Sequence, residues 1–474
     1  MHKILPNKYI IIFIFTFLLF IVDAPYKKNK PPVIKDIQQI KKDGKLIAII
    51  DNNSIDYFIY RGHPMGFQLE LLQNFADYLN VTLEVQVIED YNKALKNLIN
   101  NKCDIIAMSV PENKLYSKYI SRSEPFAYVQ YLLVQSKPDN WHTISNDSLN
   151  KILIKNVNQL KGKTVFIPSQ SSLYYKINND YILIDGNSIF ITRIPDIGYY
   201  ELITLVNKGE INYAMSNAHI AILYKNLFSN LDFNTALPVY ESLNWIVRHN
   251  SPELLDTLNL WIKDFIKTAK YKNLYIKYFK NPVYSGMLKD KYFSLNGNRI
   301  SIYDEELKKL SNELGWDWRL LASLIFQESR FDTAITGAGG SMGMMQLMPE
   351  TAANYGIDSL SEPYENLKAG VRYLKWLDKH YSNEIFDVNE RSYFVLAAYN
   401  VGHGHVDDAR ALAKKYHYNP NLWHNNVDIF LKLKSEPEYY LDPVVKSGYC
   451  PCYAVNEYVE EIIQRYKHYA NIIK

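Results

Sequence analysis

The apolar positions of this chain fall into two regimes. From about Gly44, short apolar runs alternate with stretches of helical spacing. Leu46-Ile47-Ala48-Ile49-Ile50 reads as a strand, and Phe67 to Leu79 as a helix with Leu69, Leu72, Phe75, Ala76 and Leu79 on its apolar positions. Val81 to Ile88 is a strand by composition and partial alternation, Tyr91 to Ile99 a helix, and Cys103 to Met108 a buried strand. A second unit of the same kind opens at Leu160-Lys161-Gly162-Lys163-Thr164-Val165-Phe166-Ile167 and continues through a helix at Tyr199–Asn207 and a strand at Ile211–Ser216. Such alternation predicts a largely parallel α/β sheet. Beyond residue 299 the strand-like runs vanish. Asp304–Leu314, Trp318–Gln327, Leu367–Tyr381, Arg391–Ala398 and Tyr453–Tyr469 read as helices, so the last domain is mostly α. Between the regimes, Pro282, Gly286 and Gly297 mark residues 281–298 as a linker.

At 474 residues the chain is too long for one ordinary core. Lys3 and Lys8 precede an apolar run from Tyr9 to Val22, a pattern that predicts a secretory signal over residues 1–24. The run is short for a membrane span, and no cysteine follows it for a lipid anchor. With no clear small-residue cleavage site, an uncleaved signal anchor is the alternative. Either way the remainder lies outside the cytoplasm, divided into 40–280, the linker 281–298 and 299–474. A formal net charge of +3 gives no reason to expect a nucleic-acid partner. The 39 tyrosines suit, in part, contact with sugars, whose rings pair an apolar face with hydroxyls. Cys103 reads as a core thiol. Cys450-Pro451-Cys452 has too few ligands nearby for a metal or redox centre, and its oxidation state is open. His403 and His405, two apart between glycines, read as a loop or helix start rather than a metal pair.

Candidate chemistry centres on Leu321-Ala322-Ser323-Leu324-Ile325-Phe326-Gln327-Glu328-Ser329-Arg330-Phe331. On a helix, Leu321, Leu324 and Ile325 share a face that Glu328 continues. A carboxyl there loses solvation, its pKa rises, and it holds a proton near neutrality, as a general acid for glycosidic cleavage must. Asp332 lies just past the helix and reads as a turn or cap residue.

Met65-Gly66-Phe67, Asn101-Lys102-Cys103-Asp104-Ile105-Ile106, Ser123-Glu124-Pro125-Phe126 and Leu160-Lys161-Gly162-Lys163-Thr164-Val165 occur in an order that resembles the family 3 periplasmic solute-binding proteins. The resemblance implies two α/β lobes around a cleft, with Tyr128 to Gln135 crossing between them. Amino-acid binders of that family grip the ligand carboxylate with an arginine, and Pro111-Glu112-Asn113-Lys114-Leu115-Tyr116 contains none. No ligand residues are assigned: the domain is either a scaffold with a degenerate cleft or a sensor for a muropeptide or amino acid.

In the helical region, Glu328-Ser329-Arg330-Phe331, Gly343-Met344-Met345-Gln346-Leu347-Met348-Pro349 and Ala398-Tyr399-Asn400-Val401-Gly402 stand in fixed order. Together they resemble the lysozyme-like SLT domain of soluble-type lytic transglycosylases, as do Glu365 to Leu374 and Tyr458-Val459. The implied architecture is a two-lobed periplasmic-binding-protein-like domain followed by a mostly α lysozyme-like domain. The implied activity is cleavage of the β-1,4 bond between N-acetylmuramic acid and N-acetylglucosamine in peptidoglycan without water. One glutamate, Glu328, acts as acid and then as base, and a 1,6-anhydro end forms. Most glycosidases use two carboxylates; here the substrate's N-acetyl group replaces the second. The resemblance makes Ser329 a local hydrogen-bond partner, places Met345 and Gln346 along the cleft, sets Tyr399 and Asn400 across it, and has Tyr458 close the far side. Met344, Met345 and Met348 read equally well as core filler. Many members carry serine nine residues after the glutamate; this chain has Gly337, with Thr336 and Ser341 as nearby hydroxyls. No cofactor or metal is implied. The expected place is the periplasmic side of the envelope, peripheral to the outer membrane or on an inner-membrane anchor. A water-using muramidase and a non-catalytic wall-fragment sensor are the alternatives.

Overall fold

Thirteen strands form the first half of the computed structural model, which describes residues 35–88, 90–108, 116–168, 181–184, 187–195 and 197–474. The expected signal at 1–24 lies outside the described residues. The strands are β1 (Lys45–Ile50), β2 (Phe58–Tyr60), β3 (His63–Met65), β4 (Thr82–Val87), β5 (Ile105–Ala107), β6 (Ile120–Arg122), β7 (Ala127–Ser136), β8 (Thr164–Pro168), β9 (Tyr181–Ile184), β10 (Asn187–Ile194), β11 (Tyr213–Asn217), β12 (Leu231–Leu243) and β13 (Ile246–Arg248). They build one five-stranded sheet in the order β4-β1-β5-β13-β6, a six-stranded sheet in the order β12-β7-β11-β8-β10-β9, and a β2–β3 hairpin.

The expected parallel pairings occur: β1 with β4 and β5, and β8 with β10 and β11. Both sheets are nevertheless mixed. The chain passes from the first sheet to the second along β7 and returns along its neighbour β12, so the two run antiparallel. The returning strand β13 then enters the first sheet antiparallel to β5 and β6. A lobe entered and left by adjacent strands cannot be all-parallel.

After β13, helices Pro252–Phe265 and Ala269–Phe279 fold back on the first lobe, where the Gly66 N–H donates to the Tyr278 hydroxyl at 2.9 Å. Residues 281–298 contain two short helices, Pro282–Met287 and Ser294–Gly297, with Tyr284 and Phe293 buried. Apolar side chains at both positions tie down what Pro and Gly alone would leave loose.

The helical half follows the expected spacing: Asp304–Leu314, Trp318–Ser329, Pro363–Ser382, Val388–Val401, His403–Lys415 and Val455–Ile472 are its longer helices. The Trp318–Ser329 helix is capped by the Asp317 carboxylate, which accepts the Arg319 N–H. The Val455–Ile472 helix lies against it, and Ser323 Oγ donates to the Ile462 carbonyl at 2.7 Å. That C-terminal helix also meets the first lobe. Tyr469 donates to the Gly62 carbonyl at 2.7 Å and Asn471 to the Val85 carbonyl at 2.8 Å. Tyr57 pairs with His468 Nδ1 at 2.7 Å. Cys450 and Cys452, just before this helix, are disulfide-bonded and buried, while Cys103 is a buried free thiol.

Candidate active site

The helix that carries Glu328 ends one residue later. Arg330 and Phe331 both take left-handed backbone angles, φ 53° and 65°, and the Arg330 N–H closes on the Phe326 carbonyl. Two non-glycine residues in that region are costly, and the sharp stop leaves Glu328 in the last turn of its helix. Asp332 then caps the turn, accepting the Ala334 N–H at 2.9 Å.

Burial raises the Glu328 carboxyl from 4.5 to about 7, and the Tyr458 hydroxyl donates to its Oε1, which partly opposes the rise. Tyr458 belongs to the Val455–Ile472 helix. Tyr399, from the Val388–Val401 helix, lies close enough to Glu328 to feel its charge and donates to the Met345 carbonyl at 2.6 Å. Both phenols are held well above their ordinary pKa by burial and by Glu328, so they remain neutral donors. The cluster is one carboxyl poised between its two protonation states, flanked by two phenols.

A glycine-rich loop between the Trp318–Ser329 and Pro363–Ser382 helices forms the adjoining wall, with bridges Thr336 to Met342 and Met342 to Leu347. Asn366, 4% exposed, holds it: its side chain accepts the Met345 N–H at 2.9 Å and donates to the Met342 carbonyl at 3.2 Å. Gly343 has φ 71°, and a Cβ there would stand 2.6 Å from the Asn366 amide. At Gly370 a Cβ would meet Met345 Cε at 2.5 Å. Asn366 and Gly370 lay inside the recognised helix string without a role. A polar residue and a glycine on the buried side of a predicted helix were the available signal.

The structure brings Glu328, Tyr399 and Tyr458 together and leaves Asn400 exposed at the end of its helix. Three other expected site residues are turned into the fold. Ser329 is buried, and its hydroxyl makes a local hydrogen bond, donating back to the Ile325 carbonyl at 3.2 Å. Met345 has no exposed surface; its side chain lies under the wall, and only its carbonyl serves the cluster. Gln346 spends its amide on the loop, donating to the Ile335 and Gly343 carbonyls and accepting from Ser341 Oγ at 2.8 Å. Met344 is core filler and Met348 is 48% exposed. A Cβ at Gly337 would collide with Ser341 Oγ and Gln346 Oε1, so the Ser341 hydroxyl fills the space a side chain at 337 would use. His403 opens a helix, and His405 lies 2.9 Å from Lys434 Nζ.

The first lobe holds a second perturbed carboxyl. Asp56, in the turn after β1, is raised from 3.8 to about 7 by burial, with Asp51 and Glu241 adding to the rise. Asn53 donates to it at 2.8 Å. The arginine-free string Pro111 to Tyr116 falls, except for Tyr116, outside the described residues. Arg122, in β6, donates to Asn244 Oδ1 at 3.3 Å.

Residues 306–422 match the Transglycosylase SLT domain, and residues 46–281 match the Bacterial extracellular solute-binding proteins, family 3. A "Membrane-bound lytic murein transglycosylase F" of Desulfosudis oleivorans is 27% identical over 434 residues, covering 91% of this chain and 91% of that protein. A protein of the same name from Pasteurella multocida is 28% identical, covering 95% of this chain and 89% of its own length. Among solved structures, a mutant of an arginine-binding protein from T. maritima matches with a TM-score of 0.40 at 19% identity, over 52% of this chain and 99% of that one. The chain belongs to the lytic murein transglycosylases that carry a family 3 solute-binding domain ahead of a transglycosylase SLT domain.

Proposed function

We propose that Glu328 alone performs the acid-base chemistry of peptidoglycan cleavage. Protonated, it gives its proton to the oxygen leaving from N-acetylmuramic acid. As a carboxylate it then takes the proton of the muramic 6-hydroxyl, whose oxygen closes the 1,6-anhydro ring. The substrate's acetamido group stabilises the intermediate charge, so no second carboxylate is needed. The observation that carries this reading is a carboxyl poised at about 7 by burial, with Tyr458 and no neighbouring charge among the causes of its shift. The Tyr458 bond opposes the shift by favouring the carboxylate, so it supports the second step more than the first. Tyr399 keeps the Met345 carbonyl, and with it the loop wall, in register.

Mass spectrometry of purified peptidoglycan digested by the full chain tests the reading. Anhydro-ended products, lacking one water relative to hydrolysis products, are expected, and Glu328→Gln abolishes them. Water-containing ends that depend on Glu328 would instead make the protein a muramidase. Undiminished cleavage by Glu328→Gln would remove Glu328 from the mechanism altogether.

We further infer that the two-lobed domain takes a small ligand, a muropeptide or amino acid, and that its state reaches the active site. The β2–β3 hairpin supports this. His63, in that hairpin, meets the Phe326 ring edge-on at 4.6 Å, two residues before Glu328. Arg465 lies over the same ring at 4.6 Å and donates to Gln327 at 2.8 Å. Absence of any change in turnover with muropeptides or amino acids that bind the full chain would end this part of the proposal. The relatives' name and the apolar segment 9–22 support attachment to the envelope, at the outer membrane or through an inner-membrane anchor. Fractionation of cells producing the full chain separates the two. No helix among the described residues is long and apolar enough to cross a membrane.

A further inference from the structure

We propose that Trp376 is a sugar-stacking platform that extends the Glu328 cleft and takes an N-acetylated hexose ring of the glycan strand. The proposal rests on the glycan-cleaving reading of Glu328.

One side of the Pro363–Ser382 helix carries Asn366, Tyr373, Trp376 and His380 at near-helical spacing. That side begins at the active site. Asn366 holds the Met345 N–H, and two turns further the Tyr373 ring lies 5.4 Å from that of Tyr399. Beyond it, away from Glu328, Tyr373 and Trp376 lie at 6.2 Å with their planes 17° apart, and Trp376 and His380 at 5.7 Å with planes 22° apart. His403, the first residue of the His403–Lys415 helix, meets the indole edge-on at 4.9 Å. The His380–Asp407 contact at 2.9 Å fixes the last ring. Three nearly parallel rings thus form a strip continuous with the catalytic cluster.

Core packing does not account for this indole. The buried residues of the helix are Asn366, Leu367, Ala369, Gly370, Val371, Leu374, Leu377 and Tyr381, and Trp376, at the edge of that arc, is 43% exposed. An exposed indole whose orientation is set by neighbours on both sides offers preorganised apolar surface at little further entropic cost. A pyranose ring presents a matching face of C–H groups, with its hydroxyl and acetamido substituents around the edge. The Glu328 reaction already requires an extended chain of these rings to lie along the cleft.

The test uses the full chain carrying Glu328→Gln, so that ligand is bound but not cut. Affinities are measured for a short and a long β-1,4-linked N-acetylglucosamine oligomer, together with tryptophan fluorescence. Trp376→Ala should weaken the long oligomer about three- to tenfold and leave the short one unchanged. Trp376→Tyr should restore most of the loss, and the long oligomer alone should perturb the indole emission assigned by Trp376→Phe. Unchanged affinity for the long oligomer in Trp376→Ala overturns the platform while leaving Glu328 untouched. Failure of the parent to bind either oligomer removes the cleft reading, and the platform with it. A thermal transition equal to the parent's confirms that the alanine variant is folded.

Discussion

Glu328 and Asp56 are carboxyls brought to the same place on the pH scale, about 7, by the same leading cause, burial. Their surroundings differ. Glu328 lies in the last turn of a helix, with a phenol on its Oε1 and no charged neighbour among the causes of its shift. Asp56 is locked in a turn: its N–H and its carboxylate both bond to the Asn53 side chain, its carbonyl accepts the Leu69 N–H, and Asp51 and Glu241 add like charge. A raised pKa therefore does not itself mark an acid catalyst. The carboxyl must also be able to hand its proton to something outside the fold.

Substitution at the two sites should separate them. Glu328→Gln keeps the shape of the side chain and removes the titrating proton, so turnover on peptidoglycan should fall about a thousandfold or more, with little change in unfolding temperature. Asp56→Asn should leave turnover nearly intact, because it sits in the other half of the molecule. Comparable losses of activity from both would collapse the distinction.

Asp56 should instead appear in stability. Its folded pKa lies above the unfolded value, so its contribution is fully present below about pH 4 and is lost as pH rises through about 7. The ionised form above pH 7 costs up to about 4 kcal/mol by the linkage relation. Asp56→Asn has no proton to lose, and its amide oxygen still accepts from Asn53. The expected result is a higher melting temperature than wild type at pH 8, with the difference vanishing near pH 4. A difference that is flat with pH would show that Asp56 is not protonated in the folded state.

How far the sequence prefigured each half follows the same division. Local spacing located the helices Phe67–Leu79, Tyr91–Ile99, Tyr199–Asn207 and Asp304–Leu314 at their observed bounds, because each buries one continuous stripe. The mixed character of the sheets was not legible, since it depends on β7 and β12, nearly a hundred residues apart, being neighbours. In the site, Glu328 was legible as a carboxyl on an apolar stripe, and the shift to about 7 has the cause that position implies. Met345 and Gln346 were set along the cleft, and Ser329 made a local hydrogen-bond partner, by motif alone. Their hydrogen bonds and burial are set by loop closure and by Asn366 and Gly370, contacts that a linear pattern does not carry. Asp56 gave no signal, because its shift comes first from burial by tertiary packing, with the like charges of Asp51 and Glu241 adding less.

A smaller effect tests whether the halves communicate. Gly62 has φ 79°, and a Cβ there would stand 2.6 Å from the Phe326 ring. Gly62→Ala should weaken the contact between the hairpin and the catalytic helix by about 1–3 kcal/mol. Two resolved unfolding transitions, or faster proteolysis between the halves, should replace one cooperative event. An unaltered profile would mean that the interface yields at no cost and transmits nothing.

The smallest effect concerns Tyr458, which separates Glu328 from Asp56 most sharply. Its hydroxyl lowers the Glu328 pKa against the upward pull of burial. Tyr458→Phe keeps the ring, removes the donor, and leaves the carboxylate without that bond, so turnover should fall about tenfold. The pH profile moves with it. Cleavage begins with protonated Glu328, so kcat/KM in wild type should fall as pH rises above about 7. Without the phenol the protonated form persists to higher pH, and this upper limb should shift upward. A tenfold loss with an unmoved limb would make Tyr458 a substrate contact alone. A limb that moved downward would mean that the phenol stabilises the protonated acid, reversing the role its geometry assigns.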